Sequence, residues 1–546
     1  MIAIASERRG TSVAWAALAV CLAATLPYLS TVNNYFVRDD FGVVELLSGK
    51  PAGYFPRWFV SSWMDEIWGH VPDEVRPFPA VSYQLTSLGG AASPFLHHLL
   101  NIALHAANGL VVLAIGLQAL RLTVPAATVA AAVFVLLPVH GESVAWITGR
   151  VDSMPALFYM LAFWAFARWR DLGSRSRGWY ALSLALTFVA LFTKQTTITM
   201  VATLAAWDLA VLGWPAALWP RFRAYLPFVL LTAAYLALRL VLFGQVVRES
   251  TLNAEGARYF GQLLQHHLAN VVVGRVSAGA AAVAVAVVMA CAVAAALLLR
   301  KLPPESGRRA LGLVLFCGPI WWVIGVAPTA VAGYESPRHV YLAAAGWALV
   351  LGIVADLAWL RARTIGRQRL VSAVALAVCA YYAVLLHGVV GQWNRMAAVS
   401  RQAVIDVRRE VLASPQGTLV IAGAPTRSWE WAVPFSVRPP YTRTDLTERA
   451  FIVTPWLLHC CRGQWLEDTR RILRDWHAHP GPVVVLRWDA DTGRLSKVTE
   501  REYPALRTVA EVLLQLNSRE ALDANILRMV EELPAPVDPG AAPERR

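Results

Sequence analysis

The chain has 546 residues, of which 57% are hydrophobic and 16% are charged, with a mean hydropathy of +0.48 and a formal net charge of +13. A soluble domain is nearer half apolar and a quarter charged, so this composition excludes an ordinary soluble protein. The basic residues lie in short clusters between apolar runs, which is typical of membrane-protein loops and argues against nucleic-acid binding.

Apolar runs long enough to cross a bilayer predict about eleven transmembrane helices. The first run follows Arg8 and Arg9 like the core of a signal peptide, but no clear small-residue cleavage site follows it, so we interpret it as an uncleaved anchor. The predicted spans lie near 12–32, 95–119, 124–145, 153–169, 178–193, 196–213, 224–243, 277–299, 309–330, 339–360 and 370–390.

The basic clusters predict the orientation of the chain. With eleven spans they all fall on one side, which the positive-inside rule assigns to the cytoplasm. The N-terminus is therefore expected inside and the C-terminal segment outside, in the periplasm of a bacterial inner membrane. The clusters contain Arg8, Arg9, Arg121, Arg168, Arg170, Arg175, Arg177, Arg221, Arg223, Arg300, Lys301, Arg308, Arg309, Arg361, Arg363, Arg367 and Arg369.

Two domains are predicted. Residues 1–390 form a mainly α, polytopic membrane domain whose first extracytoplasmic loop is 33–94. Residues 391–535 form a small α/β domain outside the membrane, and the tail 536–546 is disordered. The α/β assignment depends on strand-like runs at 418–422 and 482–486 and on helical stretches near 464–477 and 504–532. None of the six cysteines has a spacing typical of a zinc site or a disulfide framework.

Side chains capable of chemistry collect on the predicted outer side. Asp39 and Asp40 follow the first span directly, and carboxylates at the lip of a membrane helix are functional candidates, although they could also cap the next helix and face water. Trp58, Trp63 and Trp68 suggest that helices of this loop lie in the membrane interface. Because the outer turns carry charges of both signs, we expect a polar cavity on this face. These turns contain Arg76, His140, Glu142, Arg150, Asp152, Lys194, Glu335 and Arg338.

A series of short motifs occurs in a characteristic order. The tract 137–152 reads LPVHGESVAWITGRVD, and it is accompanied by Asp39-Asp40, Arg76-Pro77, HHLLNIALHAAN at 97–108, Thr193-Lys194-Gln195-Thr196 and Arg338-His339-Val340-Tyr341-Leu342. The set resembles the signature of the transmembrane O-mannosyltransferases with tetratricopeptide repeats and of their bacterial relatives. The resemblance covers about 33–345 and implies a GT-C fold, that of polytopic glycosyltransferases fed by a polyprenyl-phosphate sugar.

The sequence departs from that family pattern in two ways: two motif positions carry other residues, and the tetratricopeptide repeats are absent from it. Leu137 stands where the family has the first His of its His-Pro-x-His-x-Glu-type tract, and Gln195 stands where it often has Glu. The C-terminal α/β segment is expected in place of the tetratricopeptide repeats. Since such repeats are a plausible docking place for protein acceptors, the acceptor of this chain stays open among protein, lipid and glycan.

Transfer from a lipid phosphate needs one base, because the leaving group is already activated. Asp39 is the predicted base and Asp40 the second choice, since inversion by direct displacement needs one carboxylate where a glycosidase needs two. No cofactor and no metal site are predicted. Two adjacent carboxylates could, however, hold a divalent cation as easily as one of them could act as a base.

Cations are then needed to hold the phosphate as negative charge grows on it. Arg338, Lys194 and Arg150 are the predicted clamps, with arginine offering a bidentate fork and lysine a point charge. Glu142 and Asp152 are expected to bind sugar hydroxyls or to orient these cations. Arg76, His140 and Glu335 complete the predicted substrate-binding set.

Several of these residues have structural alternatives. Arg150 and Asp152 could form a buried pair, His140 could be a packed helix-end histidine, and Lys194 could extend its ammonium group to the interface. The histidines of the second span are expected to line a helix face rather than bind a metal: His97, His98 and His105.

Asp489-Ala490-Asp491 matches the metal-binding Asp-x-Asp of nucleotide-sugar enzymes. It continues into Thr492-Gly493 between two strand-like runs, so we interpret it as a hairpin turn.

The sequence therefore predicts a membrane glycosyltransferase that moves a sugar from a polyprenyl-phosphate donor to a hydroxyl acceptor on the outer face. The competing class is a transporter or flippase of a lipid-linked or anionic solute, but transporters place charges near the midplane on broken, repeated helices. A non-catalytic scaffold would not need Asp39, Lys194 and Arg338 together.

Overall fold

The computed structural model describes residues 2–64, 73–173, 175–213, 218–246, 254–300, 302–332, 336–362, 364–413, 418–422, 425, 429, 433–447, 449–453, 483–489 and 491–497. Trp68, Glu335, both predicted helices near 464–477 and 504–532 and the tail 536–546 lie outside the described residues.

The described chain is mainly helical, as predicted. The helices are α1 Ile2–Thr25, α2 Asp40–Gly49, α3 Pro77–Ser87, α4 Phe95–Ala114, α5 Val124–Leu136, α6 Gly141–Ala145, α7 Arg150–Asp171, α8 Arg177–Leu191, α9 Met200–Leu212, α10 Leu218–Phe243, α11 Ala254–Val273, α12 Ala278–Leu299, α13 Pro304–Leu315, α14 Trp321–Val331, α15 Tyr341–Arg361, α16 Ile365–Ala413 and α17 Val433–Ser436. Short 3-10 turns connect several of them, among them Ala52–Phe59, Pro138–His140, Gln195–Thr199 and Pro337–Val340.

Seven helical segments of the described chain are long and apolar enough to cross a membrane, which makes this an integral, multi-pass membrane protein. They are Thr11–Thr31, Phe95–Ala119, Arg221–Phe243, Ala278–Leu299, Pro304–Val331, Pro337–Arg361 and Ile365–Ala413. A bent pair, Val124–Leu136 with Pro138–Ala145, raises the number to eight if it counts as one span. Each of the eleven predicted spans coincides with helix, but the count of eleven stays a prediction.

Helix α5 lies at the centre of the bundle and packs against α1, α4 and α15. Its alanines Ala126, Ala127, Ala130 and Ala131 are buried, and a Cβ placed on Gly352 of α15 would come 2.7 Å from the Ala130 Cβ. Small residues let membrane helices approach closely, and here they let α5 pack directly against α15.

The helical path breaks after α5. Leu137 is extended (ψ 128°), as expected for a residue before proline, and the chain turns by 49° into the Pro138–His140 turn and α6. This bend and the turn before α7 determine the positions of Glu142, Trp146 and Asp152, which lie within residues 138–152.

The first loop packs on the C-terminal half of the chain. Contrary to the prediction of interfacial indole rings, Trp58 and Trp63 are buried in a core that the loop shares with the end of α16 and the C-terminal strands. The protein itself provides the apolar environment for these rings, so lipid headgroups are not needed to account for them.

The described residues of the C-terminal segment form a four-stranded sheet. Its strands are β1 Thr418–Ala422, β2 Ala450–Val453, β3 Val483–Asp489 and β4 Arg494–Lys497, and they lie in the order β2-β1-β3-β4. Strands β1 and β3 correspond to the two predicted strands, whereas β2 and β4 were missed because they are short. Strand β1 is parallel to β2 and β3, and β4 is antiparallel to β3. Helix α16, 49 residues and about 74 Å long, continues without interruption through the predicted boundary at 390/391.

The hairpin between β3 and β4 contains the Asp-x-Asp match. The Asp489 carboxylate accepts hydrogen bonds from the backbone N–H groups of Asp491 and Thr492 and from the Thr492 hydroxyl. Gly493 follows with a φ of 63°. The Asp489 side chain is therefore used to shape the turn, as predicted.

Candidate functional site

The two adjacent carboxylates have different surroundings. Asp40, the first residue of α2, is 1% exposed. Its Oδ1 accepts hydrogen bonds from the Thr148 N–H (2.9 Å) and hydroxyl (2.7 Å), and its Oδ2 accepts one from the Val37 N–H (3.0 Å). Burial raises the pKa of Asp40 to about 7, although these hydrogen bonds act in the opposite direction. Asp40 therefore joins the first loop to the tract that precedes α7.

Asp39 is half-buried at the N-terminus of α2. Its carboxylate makes no hydrogen bond with any residue that the structure describes. Burial raises the pKa of the Asp39 carboxyl, and the positive charges of Arg338 and Arg38 partly oppose that shift. A carboxylate in this setting has its oxygens available and a basicity above that of an exposed aspartate.

Arg338 lies between two carboxylates. Its Nη1 is 3.9 Å from Glu142 Oε1, its Nε is 3.5 Å from Asp152 Oδ2, and its guanidinium carbon lies 4.7 Å from the centre of the Trp146 ring. The 3-10 turn Pro337–Val340 holds it in place, because Glu142 Oε2 accepts hydrogen bonds from the Arg338 N–H and the Ser336 hydroxyl. Glu142 thus orients Arg338, one of the two roles predicted for it.

Lys194 is buried and donates to Asp152 Oδ1. Burial lowers the pKa of Lys194, while the Asp152 carboxylate raises it. The alternative in which this lysine extends to the interface is wrong, since its ammonium group points into the protein. Asp152 therefore bridges Lys194 and Arg338, and it does not pair with Arg150.

The sequence analysis did not select Arg38 as a site residue. Its guanidinium lies 5.7 Å from the Trp146 ring centre, 5.3 Å from the Trp393 ring centre and 3.9 Å from Glu142 Oε1. Its φ of 52° is in the left-handed region, which is uncommon for a residue with a side chain. A basic residue next to the acidic pair, on the predicted outer side where basic clusters are few, was the available signal.

Arg76 lies beside this group rather than within it. Its Nη2 donates to Glu74 Oε1 (2.9 Å) and to Gln195 Oε1 (3.4 Å), and its guanidinium carbon is 5.4 Å from the Trp63 ring centre. Gln195, noted as a departure from the family motif, therefore has a structural partner. Arg76 connects the start of α3 to the turn that carries Lys194.

The structure argues against Arg150 as a phosphate clamp. Its side chain is fully buried and donates to Asn101 Oδ1 (3.0 Å), to the His97 carbonyl (3.0 Å) and to oxygens of Ser82 and Thr86 (each 3.3 Å). Because these bonds tie α3, α4 and α7 together, Arg150 is a structural cross-link. Gly149 precedes it because a Cβ there would come 2.4 Å from the Glu142 carbonyl oxygen.

The histidines are also structural in the described chain. His140 is fully buried between the rings of Tyr341 and Phe134, with centroids 4.1 and 4.6 Å away, so it is a packed residue and not an exposed substrate ligand. The histidines of α4 each bond a protein group: His97 to Thr86, His98 to the Asn34 carbonyl and His105 to Tyr341. Among the residues with described positions, no three His, Cys, Asp or Glu side chains could together hold a metal ion.

The candidate site thus consists of one accessible carboxylate among paired cations, and its members come from distant parts of the sequence. The site contains Arg38, Asp39, Glu142, Trp146, Asp152, Lys194 and Arg338, which are supplied by the loop before α2, by α6 and its flanking turns, by α7, by the turn after α8 and by the turn before α15. Such an arrangement can accept a proton at Asp39 and bind an anion at the guanidinium groups.

No protein-family model matches the chain. Curated sequences that it resembles include the protein O-mannosyl-transferase TMTC4 of Mus musculus, 28% identical over 223 residues, which are 36% of this chain and 30% of the relative. Tmtc2 of Drosophila melanogaster is 31% identical over 200 residues (34% and 21%), and TMTC1 of Homo sapiens is 30% identical over 220 residues (37% and 25%). These matches confirm the resemblance to transmembrane O-mannosyltransferases, but they span only 21–30% of the relatives' length.

Two solved structures show a distant likeness. ArnT from Cupriavidus metallidurans, in its undecaprenyl-phosphate complex, is 14% identical with a TM-score of 0.49, over 91% of this chain and 95% of that one. The Archaeoglobus fulgidus oligosaccharyltransferase is 13% identical with a TM-score of 0.48, over 87% and 67%. Both scores are too low for the likeness to support a functional conclusion.

Proposed function

We propose that this chain is a GT-C-like membrane glycosyltransferase that transfers a sugar from a polyprenyl-phosphate carrier to a hydroxyl acceptor. The reaction takes place on the outer face of the membrane, which we propose is a bacterial inner membrane with the C-terminal domain in the periplasm. The sequence matches to O-mannosyltransferases support a glycosyltransferase, and the sugar, the donor and the acceptor belong to the proposal.

One observation carries the proposal. Both oxygens of the Asp40 carboxylate accept hydrogen bonds within the protein. The Asp39 carboxylate is half-buried, accepts no hydrogen bond from the described residues and is subject to the positive charges of Arg338 and Arg38. A base for an acceptor hydroxyl needs such a carboxylate, with a raised pKa and an available oxygen. The neighbouring cations are the groups that a phosphate leaving group needs.

In the proposed step, Asp39 removes the proton from the acceptor hydroxyl while the acceptor oxygen attacks the anomeric carbon of the donor sugar. The bond between that carbon and the phosphate oxygen breaks, and the electron pair leaves with the polyprenyl phosphate. Attack opposite to the leaving group inverts the anomeric configuration. Only one carboxylate is needed, in contrast to the two that flank the bond in a glycosidase.

Arg338 and Arg38 are the proposed phosphate-binding groups. The Nη1 of Arg338 is 3.9 Å from Glu142 Oε1, beyond normal hydrogen-bond distance, so a phosphate oxygen can approach this nitrogen more closely than Glu142 does. The Arg38 guanidinium lies beside the same carboxylate and supplies a second positive charge. Lys194 acts through Asp152, whose other oxygen lies 3.5 Å from Arg338. Glu142 and Asp152 thus hold the cations in place and keep the site near neutrality until the donor arrives.

The test is sugar transfer from a synthetic polyprenyl-phosphate mannose, with other sugars as a panel, by purified protein in detergent. We expect Asp39→Asn to lower kcat by about 10²–10⁴, the usual contribution of one general base, with donor binding retained. Arg221→Gln, which changes a charged residue near the predicted cytoplasmic side, is the control. Turnover unchanged in Asp39→Asn would remove Asp39 as the base, and saturable lipid binding without turnover for any donor would favour a transporter.

A further inference from the structure

The segment Asn34–Phe41, which carries Arg38 and Asp39, is held by parts of the chain about 360 to 400 positions later. The Ser400 hydroxyl of α16 donates to the Phe36 carbonyl (2.6 Å), and the Tyr441 hydroxyl donates to the Phe41 carbonyl (2.8 Å). These two bonds lie on either side of Asp39. They join the site to elements that the proposed chemistry does not use.

Aromatic packing strengthens the same contact. The Tyr441 ring is 5.2 Å from the Phe36 ring and 4.8 Å from the Phe41 ring, both edge-on, and all three side chains are buried. Edge-to-face pairs of this kind add about 0.5–1.5 kcal/mol each beyond the burial of their area. The backbone on both sides of Asp39 is therefore fixed by side chains as well as by hydrogen bonds.

Helix α16 also contacts the segment closer to the bundle. Asn394 Oδ1 accepts a hydrogen bond from Asn34 Nδ2 (2.9 Å), and the Trp393 ring lies beneath the Arg38 guanidinium while stacking on Trp146. The extension of α16 beyond the length needed to cross a bilayer brings Ser400 to Phe36. The part of α16 beyond the bilayer-spanning length therefore has a structural use, since it contacts the segment that carries Arg38 and Asp39.

The segment needs external support because its own backbone is unfavourable. Arg38 has a φ of 52°, a conformation that a residue with a Cβ keeps only when its surroundings impose it. If the segment relaxed, both the Arg38 guanidinium and the Asp39 carboxylate would move. A misplacement of about 1 Å can lower a rate by about 10².

We propose that the C-terminal half of the chain acts as a clamp that positions Arg38 and Asp39, with Ser400 and Tyr441 as positioning residues. The clamp consists of Trp393, Asn394 and Ser400 of α16 together with Tyr441. It gives the C-terminal segment a structural role at the candidate site. Its catalytic consequence rests on the proposed function, whereas its structural consequence does not.

The first experiment measures hydrogen exchange by mass spectrometry on the full-length protein in detergent. Tyr441→Phe keeps the ring and removes the hydroxyl, and we expect peptides spanning 36–44 to exchange about fivefold faster, the factor typical of one neutral hydrogen bond. Amides that report on opening include Val37, Asp40 and Val43, which are hydrogen-bonded within this segment. Ser400→Ala, on another element, is expected to have the same effect.

Tyr381→Phe is the matched control. Tyr381 is on α16, the helix that carries Ser400, and its hydroxyl, like that of Tyr441, donates to a backbone carbonyl, in this case that of Val273 (2.9 Å) in a different part of the bundle. The same chemical change there should leave exchange in 36–44 unchanged. Exchange unchanged in both Tyr441→Phe and Ser400→Ala, or raised equally by Tyr381→Phe, would overturn the clamp.

The second experiment separates positioning from general stability by kinetics. For Tyr441→Phe we expect kcat for sugar transfer to fall about tenfold, because Asp39 is less well placed, while the KM for the donor changes less than twofold. A lower kcat could also come from partial unfolding, which reduces the fraction of active enzyme. Titration of the donor-binding sites measures that fraction in each variant, and Tyr381→Phe shows how much of it is lost when a comparable hydrogen bond is removed elsewhere. A normal kcat in a variant with faster exchange at 36–44 would overturn the positioning role.

The two failures are distinguishable. If the wild type transfers no sugar, the proposed function fails, but the exchange experiment still decides whether the clamp exists. If the wild type is active and exchange at 36–44 responds to neither Tyr441→Phe nor Ser400→Ala, the function stands and the clamp is wrong.

Discussion

At the scale of single residues, chemically equivalent side chains are separated by what surrounds them. Asp39 and Asp40 are identical and adjacent, yet the Asp40 carboxylate accepts three hydrogen bonds and the Asp39 carboxylate accepts none from the described residues. Arg150 and Arg338 both belong to the motifs, but Arg150 is buried and its N–H groups already donate to protein acceptors, whereas Arg338 lies 3.5 and 3.9 Å from two carboxylates.

Asp40→Asn is predicted to affect stability more than chemistry. An asparagine places an NH₂ group against the N–H of Val37 or of Thr148, and a buried donor without an acceptor costs about 1–3 kcal/mol. Thermal melts of the detergent-solubilised variants should show a lower Tm for Asp40→Asn and a nearly unchanged Tm for Asp39→Asn. Equal Tm values for the two would contradict the structural role of Asp40.

The charge of Arg38 is predicted to set the pH dependence of transfer. The Arg38 cation favours the Asp39 carboxylate, so its removal in Arg38→Gln raises the pKa of Asp39 further and moves the acidic limb of kcat to higher pH. Arg38→Lys keeps the charge and should leave the limb near its wild-type position. The pH profile of kcat measures this, and a limb shifted to lower pH in Arg38→Gln has the wrong sign for the prediction.

At the scale of elements, close helix packing and a broken helix place the motif residues. Small side chains bring α5 against α15, and the 49° bend at Pro138 then turns residues 138–152 towards the turn that holds Arg338. Helix α15 also packs closely against the α13–α14 region, since a Cβ on Gly346 would lie 2.3 Å from the Cys317 carbonyl oxygen.

Gly346→Ala is therefore predicted to destabilise the bundle. The added methyl meets backbone that cannot move aside cheaply, so we expect a lower Tm by analogy with other overpacked cores, which lose about 1–3 kcal/mol. Gly388→Ala is the matched control, because Gly388 is in α16 with no atom within 4 Å of its added Cβ. Alanine there should keep or raise the Tm, as expected from helix propensity.

At the scale of the whole molecule, the predicted orientation places the site and the C-terminal segment on the same side. The ion pair between Arg438 and Glu45 (2.7 Å) and the bond from Tyr441 to Phe41 agree with that placement, since both connect the C-terminal segment to the first loop. The basic clusters assign the opposite side to the cytoplasm.

Cysteine labelling in intact cells tests this orientation. With the six native cysteines replaced by alanine, Thr444→Cys should react with a membrane-impermeant maleimide from outside, because residue 444 is exposed next to the first loop. Ser306→Cys, exposed in the first turn of α13 among basic residues, should react only after permeabilisation. Labelling of both positions from the same side would refute the predicted topology.

The sequence by itself determined the features that depend on composition and local pattern. Hydropathy predicted helix at every one of the spans, the short β-rich runs predicted β1 and β3, and the order of the motifs predicted the family resemblance and most of the residues near Arg338. Hydrophobicity and turn chemistry act over a few residues, so they can be recognised without the fold.

Only the tertiary structure decided which motif residues are available for the proposed chemistry. The hydrogen bonds that distinguish these residues join distant positions of the sequence. Thr148 donates to Asp40 across 108 positions, Arg150 to Asn101 across 49, and Tyr441 to Phe41 across 400. Sequence patterns do not contain these distances, because burial and hydrogen bonding depend on which surfaces the packed helices bring together. For the same reason, only the structure could add Arg38 to the candidate site, remove Arg150 from it and suggest a role for the C-terminal segment.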